Sequence, residues 1–292
     1  MKIRNIAPYL YVAPSLIIAF IFIYYPVMEN VQSSFFSWSP FSDTKEFVAL
    51  QNYTRLFDDS VFLVALKNNL IHLVISLAVQ VVGGLVLAAI LEDVVFRRVA
   101  PVLRTVYFLP VLISISVIGL LFSFIYNPDI GLLNKFLAMV GLEEYARGWL
   151  GDSDTAFPAI IAMGQWQGIG YITMLYIVAI QKIPPDLYEA AEMDGAGKIR
   201  KFLHITVPQV KEISFVTIIY TVSQSILTFS DVYVLTKGGP GNSSQVLSTY
   251  LYQKAFVDSE MGYASTIANV ILGITVVVYL IQAKVFKNGQ EG

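Results

Sequence analysis

Residues Tyr188 to Pro208 read YEAAEMDGAGKIRKFLHITVP. Three acids, Glu189, Glu192 and Asp194, come first. Two glycines, Gly195 and Gly197, follow, and then Lys198, Arg200, Lys201 and His204. In a soluble protein this would be an unremarked surface segment. In this 292-residue chain it is the exception, because 56% of the residues are hydrophobic and only 14% are charged. Ordinary soluble domains carry about 25% charge, and the mean hydropathy here is +0.65. The composition indicates a membrane protein, and the fold then depends on how apolar stretches flank this polar one.

Six apolar stretches reach the roughly 20 residues that a helix needs to cross a bilayer. They lie near 9–28, 69–91, 106–126, 158–181, 213–235 and 263–285. The expected fold is an all-α polytopic membrane protein, one transmembrane domain over 1–292, with the polar loop 184–208 between spans four and five. The first span resembles a signal peptide in following Lys2 and Arg4. It is long, carries Pro14 and Pro26, and precedes no small-residue cleavage site, so it reads as an anchor.

Basic residues set the orientation. With the N-terminus in the cytoplasm, the inner segments hold twelve: Lys2, Arg4, Arg97, Arg98, Arg104, Lys182, Lys198, Arg200, Lys201, Lys211, Lys284 and Lys287. The outer segments hold seven: Lys45, Arg55, Lys67, Lys135, Arg147, Lys237 and Lys254. Both termini and the 184–208 loop are therefore expected inside. Net charge is −2, so nothing in the total suggests nucleic acid as a partner. The absence of cysteine excludes disulfides and thiolate metal sites. His72 and His204, far apart, make a zinc site unexpected, and no metal is assigned.

Pro184 and Pro185 end the fourth span and suit the first turn of a new helix. Gly195 and Gly197 permit a reversal, and a second short helix is expected from about Lys198 to Thr206, bounded by Pro208. Ala190 and Ala191 let another surface approach the backbone. A solvated connecting loop would show the same features. The fragment DGAGK is not a phosphate loop: position 192 is Glu192 rather than glycine, and Ile199 stands where serine or threonine is required.

The spacing Glu189-Ala190-Ala191, three residues, Gly195, nine residues, Ile205-Thr206-Val207-Pro208 resembles the signature loop of permease subunits of ATP-binding-cassette importers. Val207 in place of leucine is the one departure. YEAAEMDGAG, DVYVLTKGGPGNSSQVLSTYLYQKAF (231–256) and MGYASTIANVIL (261–272) resemble the carbohydrate-uptake branch, of the maltose, oligosaccharide and glycerol-3-phosphate type. The resemblance covers residues 8 to 286. It implies a bacterial or archaeal inner-membrane complex with a second, usually different permease, two ATPase subunits and an extracytoplasmic solute-binding protein. ATP and Mg would sit on the ATPases, leaving this chain without a cofactor. Glu189, Ala190, Ala191, Asp194, Gly195 and Pro208 would form the coupling helix against an ATPase. The GGPG turn (238–241) would belong to an outer loop near the gate.

Polar residues within spans face protein or a water-filled path. In the fifth span Thr217, Thr221, Gln224, Thr228 and Asp231 are spaced as one helical stripe. Asn69, His72, Ser76, Gln80 and Gly83 form a similar row in the second. The fourth carries Gln165, Trp166, Gln167, Tyr171 and Tyr176, amides and rings suited to sugar hydroxyls and sugar faces, with Gly168 and Gly170 expected to loosen the helix. Gln165, Trp166, Tyr171, Thr221, Gln224, Thr228 and Asp231 are the pathway candidates. Helix–helix packing would place polar residues similarly. A membrane enzyme would need motifs this chain lacks, such as His-Glu-x-x-His or a nucleophile elbow. A secondary transporter would be expected to show repeated halves, and there are none.

Overall fold

The computed structural model describes residues 7–96 and 98–290. Lys2, Arg4 and Arg97 of the charge count lie outside the described residues. Among the described residues the regular structure is helical apart from one two-stranded antiparallel ribbon, β1 (Phe36–Ser37) with β2 (Glu46–Phe47).

Helix α1 (Ala7–Ala19) runs through a widened turn, Phe20–Tyr24, into α2 (Tyr25–Ser33). The widening reflects Pro26, which has no N–H for the regular ladder. Tyr25 N–H instead reaches back to the Phe20 carbonyl. After α3 (Gln51–Asp58), α4 (Ser60–Ser76) and α5 (Gly84–Glu92) are joined by another widened stretch, Leu77–Gly83. This helix begins earlier than the expected 69, because Asp59 caps it: its Oδ1 accepts from Val61 N–H (3.0 Å) and Phe62 N–H (3.1 Å).

The expected span at 106–126 is corrected. Helix α6 (Ala100–Phe108) and its 3₁₀ extension Leu109–Leu112 meet α7 (Ile115–Ile125) at a bend of 103°. Ile113 and Ser114 are extended between them, just after Pro110 has removed a ladder donor. The short α8 (Leu132–Met139) precedes α9 (Ala156–Ile180), which is unbroken. The expected loosening at Gly168 and Gly170 does not occur. These glycines allow close packing: a Cβ at Gly170 would lie 2.0 Å from the Tyr107 carbonyl oxygen, and one at Gly168 would lie 2.7 Å from the Gln80 amide nitrogen.

The loop helices are α10 (Pro185–Met193), α11 (Lys198–Lys201) and α12 (Val207–Gln209), the last two joined by a widened Phe202–Thr206. Pro208 is therefore not the boundary. The helix passes it and turns 73° into α13 (Lys211–Ile226) at buried Val210. The fifth span is corrected too: α13 ends at Ile226, and α14 (Ser230–Leu235) is a separate helix. Helices α15 (Leu247–Tyr252) and α16 (Met261–Gln290) complete the chain.

Among the described residues, three helices are long and apolar enough to cross a bilayer: Tyr11–Ser33, Ser60–Glu92 and Met261–Phe286. The number rises to five if each bent pair is one span. Helix α9 falls outside that count despite its 25 residues, because its amides, glycines and tyrosines dilute its hydropathy.

Two compact units are evident. In one (up to 63, with 250–274), Asn30 Nδ2 donates to Asn269 Oδ1 (2.7 Å), and Asn52 Nδ2 donates to the Ser34 carbonyl (2.8 Å). In the other (64–249, with 275 onward), the core is made by Val81, Ala88 and Leu91 against Ile172, Tyr176, Ile177 and Val210.

Candidate functional site

The polar loop is built by its local chemistry. Pro185 opens α10, with Asp186 in the first turn where the helix dipole favours an acid. At the other end Ala196 N–H bonds to the Ala191 carbonyl (2.8 Å) and Gly195 N–H to the Glu192 carbonyl (2.9 Å). These two bonds form a Schellman cap, which needs a left-handed residue at Gly195. Its φ is +77°, and nothing lies within 4 Å of where a Cβ would stand. The glycine is required by backbone conformation and not by space. Gly197 differs from expectation: it is extended (φ −70°, ψ 170°) and precedes α11.

The two arms of the loop are tied together and to α5. Tyr188 OH and Thr206 Oγ1 are 2.9 Å apart, and Lys201 pairs with Glu192. Lys198 Nζ lies 2.7 Å from Asp93 Oδ2, and that bond holds the Asp93 carboxyl below the usual carboxylate range. Glu92 pairs with Arg104 and accepts from Gln181 Nε2 (3.2 Å). A cavity of about 930 Å³ lies between the end of α5 and the loop, walled by Glu92, Asp93, Ile183, Tyr188 and Phe202. Glu189, Ala190, Asp194, Gly195 and Pro208 are exposed, and Ala191 is half-buried. Beside them Met193 is 89% exposed and Ile199 76%. A charged loop that presents bare methionine and isoleucine offers the apolar centre and polar rim of a protein contact.

The pathway candidates fall into two groups. Gln165 is buried and occupied: its Nε2 donates to Ser76 Oγ (3.0 Å), and its Oε1 accepts from Gln80 Nε2 (2.9 Å). The second-span and fourth-span rows thus meet each other. Tyr176 OH and Thr217 Oγ1 are likewise 2.9 Å apart. Tyr171 meets Tyr220 at 5.1 Å and Trp166 meets Phe122 at 5.4 Å, both ring pairs tilted, though Trp166 keeps an exposed face.

The fifth-span stripe does not exist as one helical face, since Leu227, Thr228 and Phe229 interrupt it. Thr221 is buried, and its hydroxyl has no partner among the described residues. Thr228 is buried at the break, and Gln224 is exposed in the last turn of α13. Asp231 lies on α14 against α9: a Cβ at Gly164 would stand 3.1 Å from Asp231 Oδ2 and 3.9 Å from His72 Nε2.

A second polar group escaped the sequence reading. Asp59 Oδ2 accepts from Tyr250 OH and Tyr263 OH, each at 2.5 Å. Beside it Arg55 pairs with Glu260 and stacks over Tyr263 (4.0 Å), and Lys254 bridges Asp258 (2.9 Å) and Glu260 (3.2 Å). Its members are nearly 200 residues apart in sequence, and no spacing rule joins them. Among the described residues no cluster of His, Asp and Glu is arranged to hold a metal ion.

Residues 80–287 match the family described as "Binding-protein-dependent transport system inner membrane component". The chain is 55% identical over 288 residues to the probable ABC transporter permease protein YurN of Bacillus subtilis (strain 168), covering 99% of this chain and 98% of that protein. It is 32% identical over 279 residues to the sulfoquinovosyl glycerol transport system permease protein SmoG of Agrobacterium fabrum, covering 95% and 89%. A chain of a bacterial ABC transporter involved in the import of the acidic polysaccharide alginate superposes with a TM-score of 0.84 at 24% identity, over 98% of this chain and 96% of that one, which establishes the fold. The family match, the length of the shared sequence and the exposed loop between α9 and α13 agree, and the chain belongs to the inner-membrane components of binding-protein-dependent transport systems, as a permease subunit and not an enzyme.

Proposed function

We propose that this permease forms half of the import path for a sugar or oligosaccharide, and that its 184–208 loop is the coupling helix against a cytoplasmic ATPase. The observation that carries the loop assignment is the pairing of exposed Met193 and Ile199 with the acids Glu189 and Asp194. The loop is capped within itself and tied to α5 through Asp93, so it moves with that helix when pushed. Rigid transmission of that kind is what a domain interface needs to bias a membrane path between two states.

The rest of the machine follows as part of the same proposal: six spans with both termini cytoplasmic, a second and different permease, two ATPases that bind ATP and Mg, and an extracytoplasmic solute-binding protein, all in the inner membrane amid its lipid. The sulfoquinovosyl glycerol permease supports a glycoside as cargo. A phosphorylated solute such as glycerol-3-phosphate is the alternative. Trp166, Tyr171, Thr221, Thr228 and Asp231 include no cation to meet a phosphate.

The deciding experiment is purification of the tagged permease with its partners, followed by uptake of a panel of sugars into vesicles containing the binding protein. An ATPase and a second permease in the complex, with ATP-dependent sugar uptake, are expected. Uptake of glycerol phosphate alone would overturn the cargo, and a complex without an ATPase would overturn the mechanism. For orientation, a cysteine at Ser153 should react with an impermeant thiol reagent outside intact cells, and one at Lys198 should not. The reverse labelling would invert the topology.

A further inference from the structure

Helix α13 stops at Ile226, and Ser225 and Ile226 are both buried, where water is not at hand to satisfy their carbonyls. One side chain does so. Asn69 Nδ2 donates to the Ser225 carbonyl (2.8 Å) and the Ile226 carbonyl (3.2 Å). The other end of the same amide, Oδ1, accepts from Leu247 N–H (2.8 Å), at the start of α15, where a helix has unpaired donors. The Asn69 carboxamide therefore joins a helix C-terminus to a helix N-terminus, and it is 5% exposed.

Its neighbour completes the fastening. Asn68 Nδ2 donates to the Ser243 and Gln245 carbonyls, both at 2.8 Å. The segment they grip is wired internally as well: Thr236 Oγ1 and Ser244 Oγ are 2.7 Å apart, and Thr249 Oγ1 donates to Gln245 Oε1 (2.6 Å). Ser244, Gln245, Val246 and Leu247 are all buried. The loop that contains the GGPG turn is thus a fixed plug held on α4.

We propose that Asn69, supported by Asn68, is a positioning residue for transport: it creates the break between α13 and α14 and locks that break to the 236–247 plug. Thr228 and Asp231, beyond the break, are set relative to Thr221 by this amide. A shift of the plug then moves the path residues with it, and without the amide the two move separately. The proposal rests on the importer reading above. A wild-type complex that moves solute without hydrolysing ATP would overturn that reading, whereas this one is overturned when the wild type does couple hydrolysis to uptake and the variant couples them equally well.

The test is Asn69→Leu in the full complex with its binding protein in vesicles, comparing assembled yield, ATP hydrolysis and uptake per complex. A leucine fills the space and leaves two buried carbonyls and one N–H unpaired. The complex is expected to assemble at reduced yield, because three buried groups lose their partner, and solute moved per ATP, read per assembled complex, should fall about tenfold. A lower yield with an unchanged ratio would make Asn69 a folding residue only and overturn the proposal, as would normal values of both. If Asn69→Leu gives no complex, Asn69→Gln decides, because it carries the same amide one methylene further out. An assembled complex with an altered ratio supports the proposal, whereas a normal ratio or no assembly overturns it.

Discussion

Polar side chains serve opposite ends in two regions of this molecule. In the 184–208 loop, Glu189, Asp194 and Arg200 are exposed, and the backbone satisfies itself through the Gly195 cap. Between α4, α9 and α13, Gln165, Ser76, Gln80, Tyr176 and Thr217 are spent on one another. The loop's charges face outward, where the proposed partner would meet them. The helices are polar largely because helices in an apolar medium are held by such bonds. Helical spacing has the same appearance in both cases, and only the partners distinguish them.

The largest expected effect lies in the loop. If the loop is the coupling helix proposed above and Glu189 meets a basic group of the ATPase, Glu189→Lys replaces an attraction with a repulsion and makes no change to the internal cap, so uptake should fall by more than about tenfold, since like charges at an interface cost several kcal/mol. The spans should stay folded and the permease should remain in the membrane. Gly195 sharpens the point. Gly195→Ala should cost about 1–2 kcal/mol of local stability, the cost of a left-handed turn with a Cβ, although there is ample room for the methyl. Gly195→Asn should be milder, because asparagine tolerates that conformation. Equal effects of alanine and asparagine in a thermal-shift and uptake comparison would show that space governs this site and not φ.

The second effect tests the interior. Gln165→Leu should lower the yield of the assembled permease by leaving Gln80 and Ser76 without their partner, a cost of about 1–3 kcal/mol, and leave the ranking of transported sugars as it was. Gln165→Leu with Gln80→Leu should recover part of the loss, because both ends of the bond are then removed. A changed sugar ranking in the single variant would return Gln165 to the pathway.

What the sequence made legible follows from the same contrast. The loop was readable because its signals are local: Pro185 to start a helix, Gly195 to cap it, Lys198 to begin the next. The first, second and sixth apolar stretches were readable by length. The breaks at Ile113–Ser114 and Leu227–Phe229 were not, since nothing within 106–126 or 213–235 marks a helix end at those residues and the partners that stabilise a break lie elsewhere, as Asn69 does for Ile226. Pro208 misled in the opposite direction, because a widened turn before it lets the helix continue. The Asp59 cluster joins residues from both ends of the chain, and no spacing within one segment reveals it.

That cluster predicts a smaller, pH-dependent effect. Burial pushes the Asp59 carboxyl up, but the hydroxyls of Tyr250 and Tyr263 and the N–H groups of Phe62 and Val61 outweigh it, and the net direction is down. A carboxyl lowered on folding stabilises the fold above its unfolded value, about 3.9, and loses that contribution as pH falls through the lower folded value. The stability difference between wild type and Asp59→Asn should therefore be level near neutral pH and shrink at strongly acid pH. A difference that persists unchanged through that range would mean that the hydrogen bonds, and not the charge, hold α4 at this end.

The smallest expected effect belongs to Gln224, and it separates the two uses of polarity at one residue. It is exposed in the last turn of α13, with no partner among the described residues, while Thr221 one turn earlier is buried. Gln224 thus faces away from its own chain, as the loop residues do, yet sits on a membrane helix, as the packing residues do. A glutamine against lipid alone is costly, so its amide should meet either solute or, in the complex proposed above, a second permease. Gln224→Leu should leave the fold of this chain unchanged, and the loss of one neutral hydrogen bond, about 0.5–1.5 kcal/mol, corresponds to roughly a two- to tenfold change. If that change appears in relative sugar uptake at normal complex yield, Gln224 belongs to the path. If it appears as weaker association of the two permeases with an unchanged sugar ranking, it belongs to their interface. Normal values of both would show that an exposed amide can face the membrane here without a partner, and would remove Gln224 from the comparison altogether.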